Sequence, residues 1–407
     1  MNTTRLLRLS TSLLISFGIG LAASARSSET KSLVEGNTAF AFDLYARLSG
    51  TPGNMFFSPY SISTCLAVTY AGARGNTETQ MSQVLHFSND QPQLHSSFGE
   101  LQRQLNKAEE QKGIQLDIAN ALWVQKGHPL IPAFLEIASN NYQANVNQAD
   151  FMSSAHAATL EINRWVAQKT RDQIQDILSP GSVNDLTRLV LANAIYFKGM
   201  WMNRFEKAHT STRPFNLSMT SQADVPLMFQ IARCNYAEDK DFQVVELPYS
   251  GDELSMVILL PCQIDGLGRL EKQLSPAFLA RLLAQMQTQY VMIHMPRFKF
   301  ESGFNLNNTL AKMGMPDAFN WPNADFSGLN GVKGDLFLSG VFHKAWIEVT
   351  EEGTEADART ALQIGTMESH QPPPPPVFRA DHPFVFLIRD IRSGSLLFVG
   401  RLADPRA

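Results

Sequence analysis

The stretch that decides the fold is Glu351-Glu352-Gly353-Thr354-Glu355-Ala356-Asp357-Ala358-Arg359-Thr360. From Thr354 onward, every second residue is small, and the residues between them are charged. Successive side chains of a strand point to opposite faces, so this segment as a strand would have one small, buriable face and one solvated face. The pattern therefore predicts a segment that can enter a sheet.

A proline run divides this segment from the chain that follows. No proline occurs from Glu351 to Gln371, whereas Pro372 to Pro376 are all proline. Proline has no backbone N–H and is excluded from central strands. Only the part before the prolines could become a central strand, which indicates an exposed loop that is cut and then enters a sheet on one side only.

The flanking sequence carries a set of short motifs. Before the loop these are Asn54-Met55-Phe56-Phe57-Ser58-Pro59-Tyr60-Ser61-Ile62, Leu191-Ala192-Asn193-Ala194-Ile195-Tyr196-Phe197-Lys198-Gly199 with Trp201, and residues 245–249, 295–298, 313–319, 324–328, 343–345 and 347–349. After the loop they are residues 381–389 and 397–401, with Gly394 between them. In order and spacing the chain resembles the serpins, the serine protease inhibitor superfamily, and in particular their inhibitory type. The resemblance covers nearly the whole mature chain.

The resemblance implies an α+β serpin fold with three β-sheets, about eight or nine helices and an exposed reactive loop. The residues favour the same class, because strands and helices are mixed without regular alternation. We expect one serpin domain over residues 26–407, with the hinge and reactive loop at 351–376, since no linker or internal repeat interrupts the chain.

Hydrophobic periodicity places the main elements. It predicts helices at 34–48, 61–73, 98–112 and 158–177, and strands at 116–124, 189–197, 244–260, 291–300, 345–349, 384–389 and 396–402. Residues 189–197 are almost wholly apolar, as expected of a central strand that is buried on both faces.

The first 25 residues have the pattern of a secretory signal peptide. Arg5 and Arg8 precede an apolar run from Leu13 to Ala23, and Ala23-Ser24-Ala25 has the A-x-A form of a cleavage site. The run is short for a membrane span. We therefore expect a secreted protein, extracellular or periplasmic in a bacterium, with a retained N-terminal anchor as the alternative and no membrane partner otherwise.

Charge and motif content exclude several functions. The net charge of -4 lacks the basic bias of a nucleic-acid-binding surface. The predicted helix 98–112 carries three basic and three acidic residues, so we do not expect heparin binding. No G-x-S-x-G, H-E-x-x-H or P-loop pattern occurs, so we nominate no catalytic residue, metal ligand or cofactor and expect no enzyme.

The three cysteines, Cys65, Cys234 and Cys262, leave at least one thiol unpaired and have no C-x-x-C spacing. Cys65 stands in an apolar run and should be a buried small hydrophobe. We expect a fold that does not depend on disulfides.

The resemblance also implies a suicide mechanism. A serine protease, or in some cases a cysteine protease, attacks the loop and forms an acyl-enzyme. The cut loop then inserts into the main sheet, and the protease is trapped in a covalent complex with a monomeric inhibitor. The alternative is a non-inhibitory serpin that acts as a chaperone or ligand carrier.

The hinge residues under this reading are Glu351, Gly353, Thr354, Ala356, Ala358 and Thr360. Gly353 supplies backbone freedom, and Thr354 would enter the sheet first. Counting fourteen residues on from Gly353, as the resemblance implies, gives Met367–Glu368 as the reactive bond, with Thr366–Met367 as the alternative. Methionine suits the pocket of an elastase-like or chymotrypsin-like protease.

A second group of residues would control the opening of the sheet. Ser58, Ser61, Asn193 and His343 match the family's polar cluster beneath the strands that part. Trp201 matches the site at the top of the sheet where the hinge enters. Buried polar groups must be paired, and a paired network can hold two arrangements.

Overall fold

A computed structural model describes the backbone of residues 7–109, 113–352 and 374–406, and the side chains within these ranges apart from 7–27 and 107–109. Two sets of predicted site residues lie outside the described residues: the hinge positions Gly353, Thr354, Ala356, Ala358 and Thr360, and the reactive bond Met367–Glu368.

The described residues contain ten α-helices and two 3-10 turns, Lys207–His209 and Pro316–Phe319. The helices are α1 (Leu7–Leu48), α2 (Pro59–Tyr70), α3 (Gly75–Val84), α4 (Gln91–Glu109), α5 (Pro132–Tyr142), α6 (Phe151–Lys169), α7 (Leu267–Glu271), α8 (Pro276–Gln285), α9 (Asn307–Met313) and α10 (Ser327–Asn330). Within the described ranges, no helix combines the length and the apolar character that crossing a membrane requires.

Fourteen strands in the described residues form two sheets. They are β1 (Met55–Phe57), β2 (Ile114–Gln125), β3 (Asn145–Ala149), β4 (Leu189–Gly199), β5 (Ser211–Ser218), β6 (Ser221–Glu238), β7 (Phe242–Pro248), β8 (Leu254–Pro261), β9 (Gln287–Pro296), β10 (Phe298–Asn305), β11 (Leu338–Val349), β12 (Val377–Arg379), β13 (Phe384–Asp390) and β14 (Leu396–Leu402). One sheet has the order β10-β11-β4-β2-β3. The other has the order β1-β14-β13-β8-β7-β6-β9-β12, with β5 paired to β6.

Strand β4 is the central strand of the five-stranded sheet, as its apolar sequence predicts. Its alternate residues face two different cores. Leu191 and Ile195 belong to the main core, which includes α2, whereas Val190 and Ala192 pack in a smaller core with Phe151 and other residues of α6. Because both faces are covered, the strand has no solvated face.

Helix α2 runs through the main core behind this sheet. Ser58 caps its first turn by accepting a hydrogen bond from the backbone N–H of Ser61 at 3.1 Å, and Pro59 fits the first turn because its φ is already fixed. All of its residues are buried. The capping geometry fixes the position of Ser58 and Ser61 beneath β4 and its neighbours.

The α+β prediction is confirmed. In the described residues, hydrogen bonding joins the strands into two continuous sheets, because the long strand β6 pairs with β5 at one end and with β9 and β7 further along. The same residues contain ten α-helices, where the resemblance implies about eight or nine. The predicted strand 244–260 is a hairpin, β7 and β8, because Gly251 and Asp252 turn the chain with positive φ.

Two further boundaries differ from the prediction. The strand predicted at 291–300 is two strands in different sheets, β9 and β10, which meet at Arg297. Helix α6 ends at Lys169 instead of continuing to residue 177, because Arg171 and Asp172 adopt positive φ. Ile174 and Ile177 are buried nonetheless, in the segment after the helix.

All three cysteines are free. Cys65 is buried, as predicted, and burial raises the pKa of its thiol to about 12. Cys234 is also buried and Cys262 is exposed. The fold therefore contains no disulfide.

Candidate functional site

Strands β11 and β4 form a parallel seam in the middle of the five-stranded sheet. The pairing runs from Leu338 opposite Leu189 to Ile347 opposite Phe197. Strand β11 leads at its carboxyl end into the segment that the sequence marks as the reactive loop. Parallel ladders are slightly less stable per residue than antiparallel ladders. A strand that left β11 and turned back into this seam would run antiparallel to both neighbours.

A buried polar row crosses the seam on the face of the sheet that packs against α2. His343 of β11 is opposite Asn193 of β4, and Asn193 is opposite Asn120 of β2. Ser58 and Ser61 lie against this row from α2 and complete what we name the seam cluster. The four predicted members are all 2% exposed or less. The structure therefore brings Ser58, Ser61, Asn193 and His343 into one buried group.

The hydrogen bonds of the seam cluster form a directed chain. The backbone N–H of Ser58 donates to Nε2 of His343 at 3.1 Å, so Nδ1 of the neutral ring carries the proton and donates to Oδ1 of Asn193. Nδ2 of Asn193 donates to Oγ of Ser61 at 2.6 Å and to Oδ1 of Asn120, and Oγ of Ser61 donates to the same Asn120 oxygen at 3.0 Å. The bond between His343 and Asn193 crosses the seam, and parting the strands must break it.

Burial lowers the pKa of His343 to about 3, because the buried site disfavours the charged imidazolium. The ring is therefore neutral at neutral pH. Protonation would place a second N–H against the backbone N–H of Ser58, where neither group has an acceptor. The seam cluster thus depends on a neutral histidine.

We predict that acid destabilises the protein through this histidine. The unfolded pKa is near 6.5 and the folded pKa is about 3, so between these values the unfolded state binds a proton that the folded state does not. The contribution is complete above about pH 6.5 and is lost as the pH falls toward 3, with about 2 kcal/mol gone at pH 5. Burial also lowers the pKa of His95 and His294 to about 4, so both add to the same trend.

The melting temperature at pH 7.5 and at pH 5 measures this effect. His343→Gln should be less stable than the parent at pH 7.5 and should lose less on acidification, because one of the titrating groups is gone. The exposed His156 gives a matched control, since His156→Gln should retain the parent's pH dependence. An unchanged acid response in His343→Gln would contradict the account.

Trp201 lies at the carboxyl end of the seam, beside the residue that follows β11. Its indole Nε1–H donates to the backbone carbonyl of Thr350 at 3.0 Å, one residue beyond the end of β11. The indole stacks on Tyr249 with ring centroids 4.7 Å apart and is 4% exposed. Trp201 is therefore apart from the seam cluster and lies where the chain leaves the sheet for the predicted reactive loop.

Glu351, the first predicted hinge residue, is held at the same end. Its side chain is 1% exposed and accepts hydrogen bonds from Nε of Arg297 and from Oγ1 of Thr210, both at 2.5 Å. Burial raises the pKa of the Glu351 carboxyl, but the hydrogen bonds from Thr210 and Arg297 and the charge of Arg297 outweigh it, so the pKa lies below its ordinary value. Glu352 forms an exposed ion pair with Lys207 beside it.

Arg297→Ala should lower the melting temperature by about 2–4 °C. It leaves the carboxylate of Glu351 buried without its charge partner, and breaking such a pair costs several kcal/mol, reduced here to about 2 kcal/mol because Arg297 is partly exposed. Lys207→Ala is the matched control, because an exposed pair contributes roughly 0–1 kcal/mol. We call the buried contacts of Glu351 with Arg297 and Thr210 the latch. Equal melting temperatures for the two variants would contradict a stabilising role of the latch.

The outer face of the seam carries further pairs. Tyr196 of β4 stacks on Trp346 of β11 with centroids 4.6 Å apart, and Lys198 forms an ion pair with Glu348 at 3.3 Å. Both pairs join the two strands directly. They would have to separate together with the bond between His343 and Asn193.

Sequence reasoning missed four residues of this region: Asn120, Thr210, Lys207 and Arg297. Asn120 could have been noticed, because it is the one amide in the apolar stretch from Ile118 to Leu122. Lys207 lies in the 3-10 turn and Thr210 directly follows it, and only the folded chain brings Thr210 to Glu351 and Lys207 to Glu352. No cluster of His, Cys, Asp and Glu in the described ranges could hold a metal ion.

Comparison with known proteins identifies the family. A family model described as "Serpin (serine protease inhibitor)" matches residues 35–405. The chain belongs to the serpin family. Several of its relatives are named leukocyte elastase inhibitor, so serpin-type protease inhibition is supported and the prediction that this serpin is not an enzyme is confirmed.

Individual relatives agree along most of their length. This serpin is 42% identical over 378 residues to leukocyte elastase inhibitor from Xenopus tropicalis, covering 90% of this chain and 98% of the relative. It is 40% identical over 380 residues to serpin B6 from Macaca fascicularis, covering 92% and 99%. The crystal structure of uncleaved ovalbumin superposes with a TM-score of 0.84 at 30% identity, covering 92% of this chain and 100% of ovalbumin. These similarities confirm the serpin fold.

The prediction of a secreted protein is wrong. The leukocyte elastase inhibitors and serpin B6 that this serpin resembles are intracellular serpins without signal peptides. The comparisons therefore contradict an extracellular or periplasmic location, which rested on the charged and apolar pattern of the first 25 residues alone. The division of the chain into residues 1–25 and a single domain over 26–407 stays a prediction.

Proposed function

We propose that this serpin inhibits serine proteases as a suicide substrate. A protease cleaves Met367–Glu368 and forms an ester between its serine and the carbonyl carbon of Met367, releasing the new amino terminus at Glu368. The segment from Gly353 onward then inserts between β4 and β11, and the bound protease is carried along before water can hydrolyse the ester. The partner is held in a covalent complex.

The parallel seam is the observation that carries this proposal. Two neighbouring parallel strands with the reactive loop leading from one of them provide a place for a strand that runs antiparallel to both. Insertion replaces one parallel ladder by two antiparallel ladders and buries the small face of the segment, both of which are favourable. The closed fold thus has a higher free energy than the cleaved and inserted form, and this difference drives the step after cleavage.

The contacts around the seam support a controlled opening. Trp201 and Glu351 hold the chain at the point where insertion begins, and the bond between His343 and Asn193 joins the strands further down. We assign Ser58, Ser61, Asn193 and His343 to control of sheet opening and Trp201 to entry of the hinge. Each of these polar groups has a hydrogen-bond partner while the strands are together. The seam therefore stays closed until cleavage supplies a competing strand.

Elastase-like and chymotrypsin-like proteases are the targets that we propose. Methionine at position 367 is of medium size and apolar, and the relatives at 40–42% identity include proteins named leukocyte elastase inhibitor. A trypsin-like pocket holds a buried charge that methionine cannot pair. Serine proteases are therefore the class to test first, and a cysteine protease is a second class.

Titration of protease activity tests the proposal. Increasing amounts of the protein are mixed with a fixed amount of pancreatic elastase or chymotrypsin, and the residual activity is read after dilution. We expect time-dependent loss that dilution does not reverse, near one inhibitor per protease, with Glu368 as the new amino terminus in sequencing. Rapid recovery on dilution, or cleavage without loss of activity, would favour the non-inhibitory alternative.

A further inference from the structure

One face of the nine-stranded sheet exposes an apolar surface edged with arginine. Cross-strand pairing places Ile231 opposite Met292 and Met292 opposite Val377, so that β6, β9 and β12 share one row. Arg233 is opposite Tyr290 in the next row. We name this surface the outer patch, and its members are Ile231, Arg233, Tyr290, Met292, Val377 and Arg379.

The exposure of the outer patch is unusual for its residue types. Ile231, Tyr290 and Val377 are 43%, 49% and 44% exposed, although the neighbours that alternate with them, such as Ile293 and Phe378, are fully buried. Scattered apolar residues on a surface need no explanation, but a contiguous group on three paired strands marks an interaction site. Tyrosine and arginine are also the residues that carry much of the binding energy in protein interfaces.

The row on the other side of Met292 contains Phe229, His294 and Arg379 and determines the charge at this edge of the patch. The ring of Phe229 lies 4.7 Å from that of His294, whose Nε2 is 3.4 Å from a guanidinium nitrogen of Arg379. Asp381 is the nearby carboxylate; it is half-buried and lies 2.9 Å from Nδ1 of His382. The two exposed arginines, Arg233 and Arg379, outnumber it and give the outer patch a net positive rim, which fits a partner with carboxylates around an apolar contact.

The predicted reactive loop leads directly into this surface, which favours a protease bound at the loop as the occupant. Strand β12 is the edge strand of the sheet and follows the prolines directly, with Val377 and Arg379 in the patch. Val377 is nine positions after Glu368, a separation of about 28 Å in polyproline geometry. A protease domain of about 200 residues is roughly 40 Å across. A protease bound at Met367–Glu368 is thus large enough to reach the outer patch.

We propose that the outer patch is a second docking surface for the target protease, one that contacts an apolar area with an acidic rim beside the protease's active-site cleft. The inference rests on the proposed function and adds a basis for selectivity, because the reactive bond alone cannot separate proteases with similar pockets. The proline run limits the freedom between bond and patch, so both contacts can form in one encounter.

The test compares rates of inhibition of pancreatic elastase and chymotrypsin. Tyr290→Ala should slow complex formation about tenfold, as loss of a central aromatic contact does. Arg233→Glu should slow it by a similar factor and remove the decrease in rate that salt causes in the parent. Leu186→Ala, which truncates another exposed apolar residue, and Arg47→Glu, on α1, are matched controls and should keep the parent's rate. A free peptide of residues 360–372 contains the reactive bond but none of the substituted positions. Its cleavage by each protease is therefore the reference for attack on the bond without the outer patch.

Three results would overturn the inference, and they are distinguishable. If the parent traps a protease and the patch variants trap it at the parent's rate, the outer patch has no role while the proposed function stands. If the parent traps neither protease, the proposed function fails and this inference fails with it. If sedimentation shows a parent dimer that Tyr290→Ala dissociates, the patch binds a second copy of the chain instead of the protease.

Discussion

Thr354→Arg is expected to turn this serpin from an inhibitor into a substrate. Under the proposed mechanism Thr354 would enter the seam first, and the alternation of the sequence assigns its side chain to the small face that insertion would bury. Burying an arginine without a partner costs several kcal/mol, and each 1.4 kcal/mol slows a step about tenfold. Insertion should therefore slow by a factor on the order of 100 or more. Hydrolysis of the acyl-enzyme should then be faster than insertion, and the protease should be released.

The measurement is the number of inhibitor molecules consumed for each protease molecule inactivated. It should be near one for the parent and should rise steeply for Thr354→Arg, with cleaved inhibitor and active protease as products. Glu355→Arg is the matched control, because alternation places the neighbouring residue on the solvated face. Loss of inhibition in Glu355→Arg, or its retention in Thr354→Arg, would argue against insertion as a strand.

Cleavage of the reactive loop is expected to raise the melting temperature by on the order of 15 °C. Insertion adds about a dozen ladder hydrogen bonds of roughly 1 kcal/mol each, together with burial of the small face. For a domain of this size, each kcal/mol moves the melting temperature by about 1–2 °C. The free energy released when the loop inserts into the seam should thus appear as a higher melting temperature of the cleaved protein.

A metalloprotease such as thermolysin can make the cut, because it uses a metal-bound water and forms no acyl-enzyme that could be trapped. Sequencing of the new amino terminus confirms that the cut lies between residues 361 and 371. Cleaved Thr354→Arg should gain much less than the cleaved parent. An unchanged melting temperature in the cleaved parent would favour a serpin that does not insert its loop.

The main elements could be predicted because each has a strong local signal. Residues 189–197 are apolar throughout, which is enough to place a central strand, and Ser58-Pro59 marks the start of α2 through capping and first-turn preferences. The error at residues 244–260 arose because the turn at Gly251 and Asp252 is short and lies between two apolar runs. Periodicity alone reads such a pair of strands as one.

The site was only partly predictable, for a reason that concerns distance along the chain. Ser58, Asn193 and His343 could be named from the serpin resemblance, whereas the local sequence marks Asn120 only as an amide in an apolar stretch and does not show that it completes their row. The latch at Glu351 depends on Arg297 and Thr210, which are 54 and 141 residues away. Partners of this kind follow from sheet order and register, which the amino-acid pattern does not fix.

The location was misjudged because the pattern at the start of the chain was interpreted without relatives. Arg5, Arg8 and the apolar run to Ala23 fit a general signal-peptide description. The relatives that this serpin resembles are intracellular, and their similarity outweighs a pattern that many sequences share.

The most direct test of the central claim is a denaturing gel of the protein after incubation with pancreatic elastase or chymotrypsin. The account predicts a new band near the summed mass of protease and serpin that survives boiling in detergent, because an ester joins the two chains. Only cleaved serpin at a slightly lower mass, with the protease band unchanged for both enzymes, would contradict trapping by loop insertion.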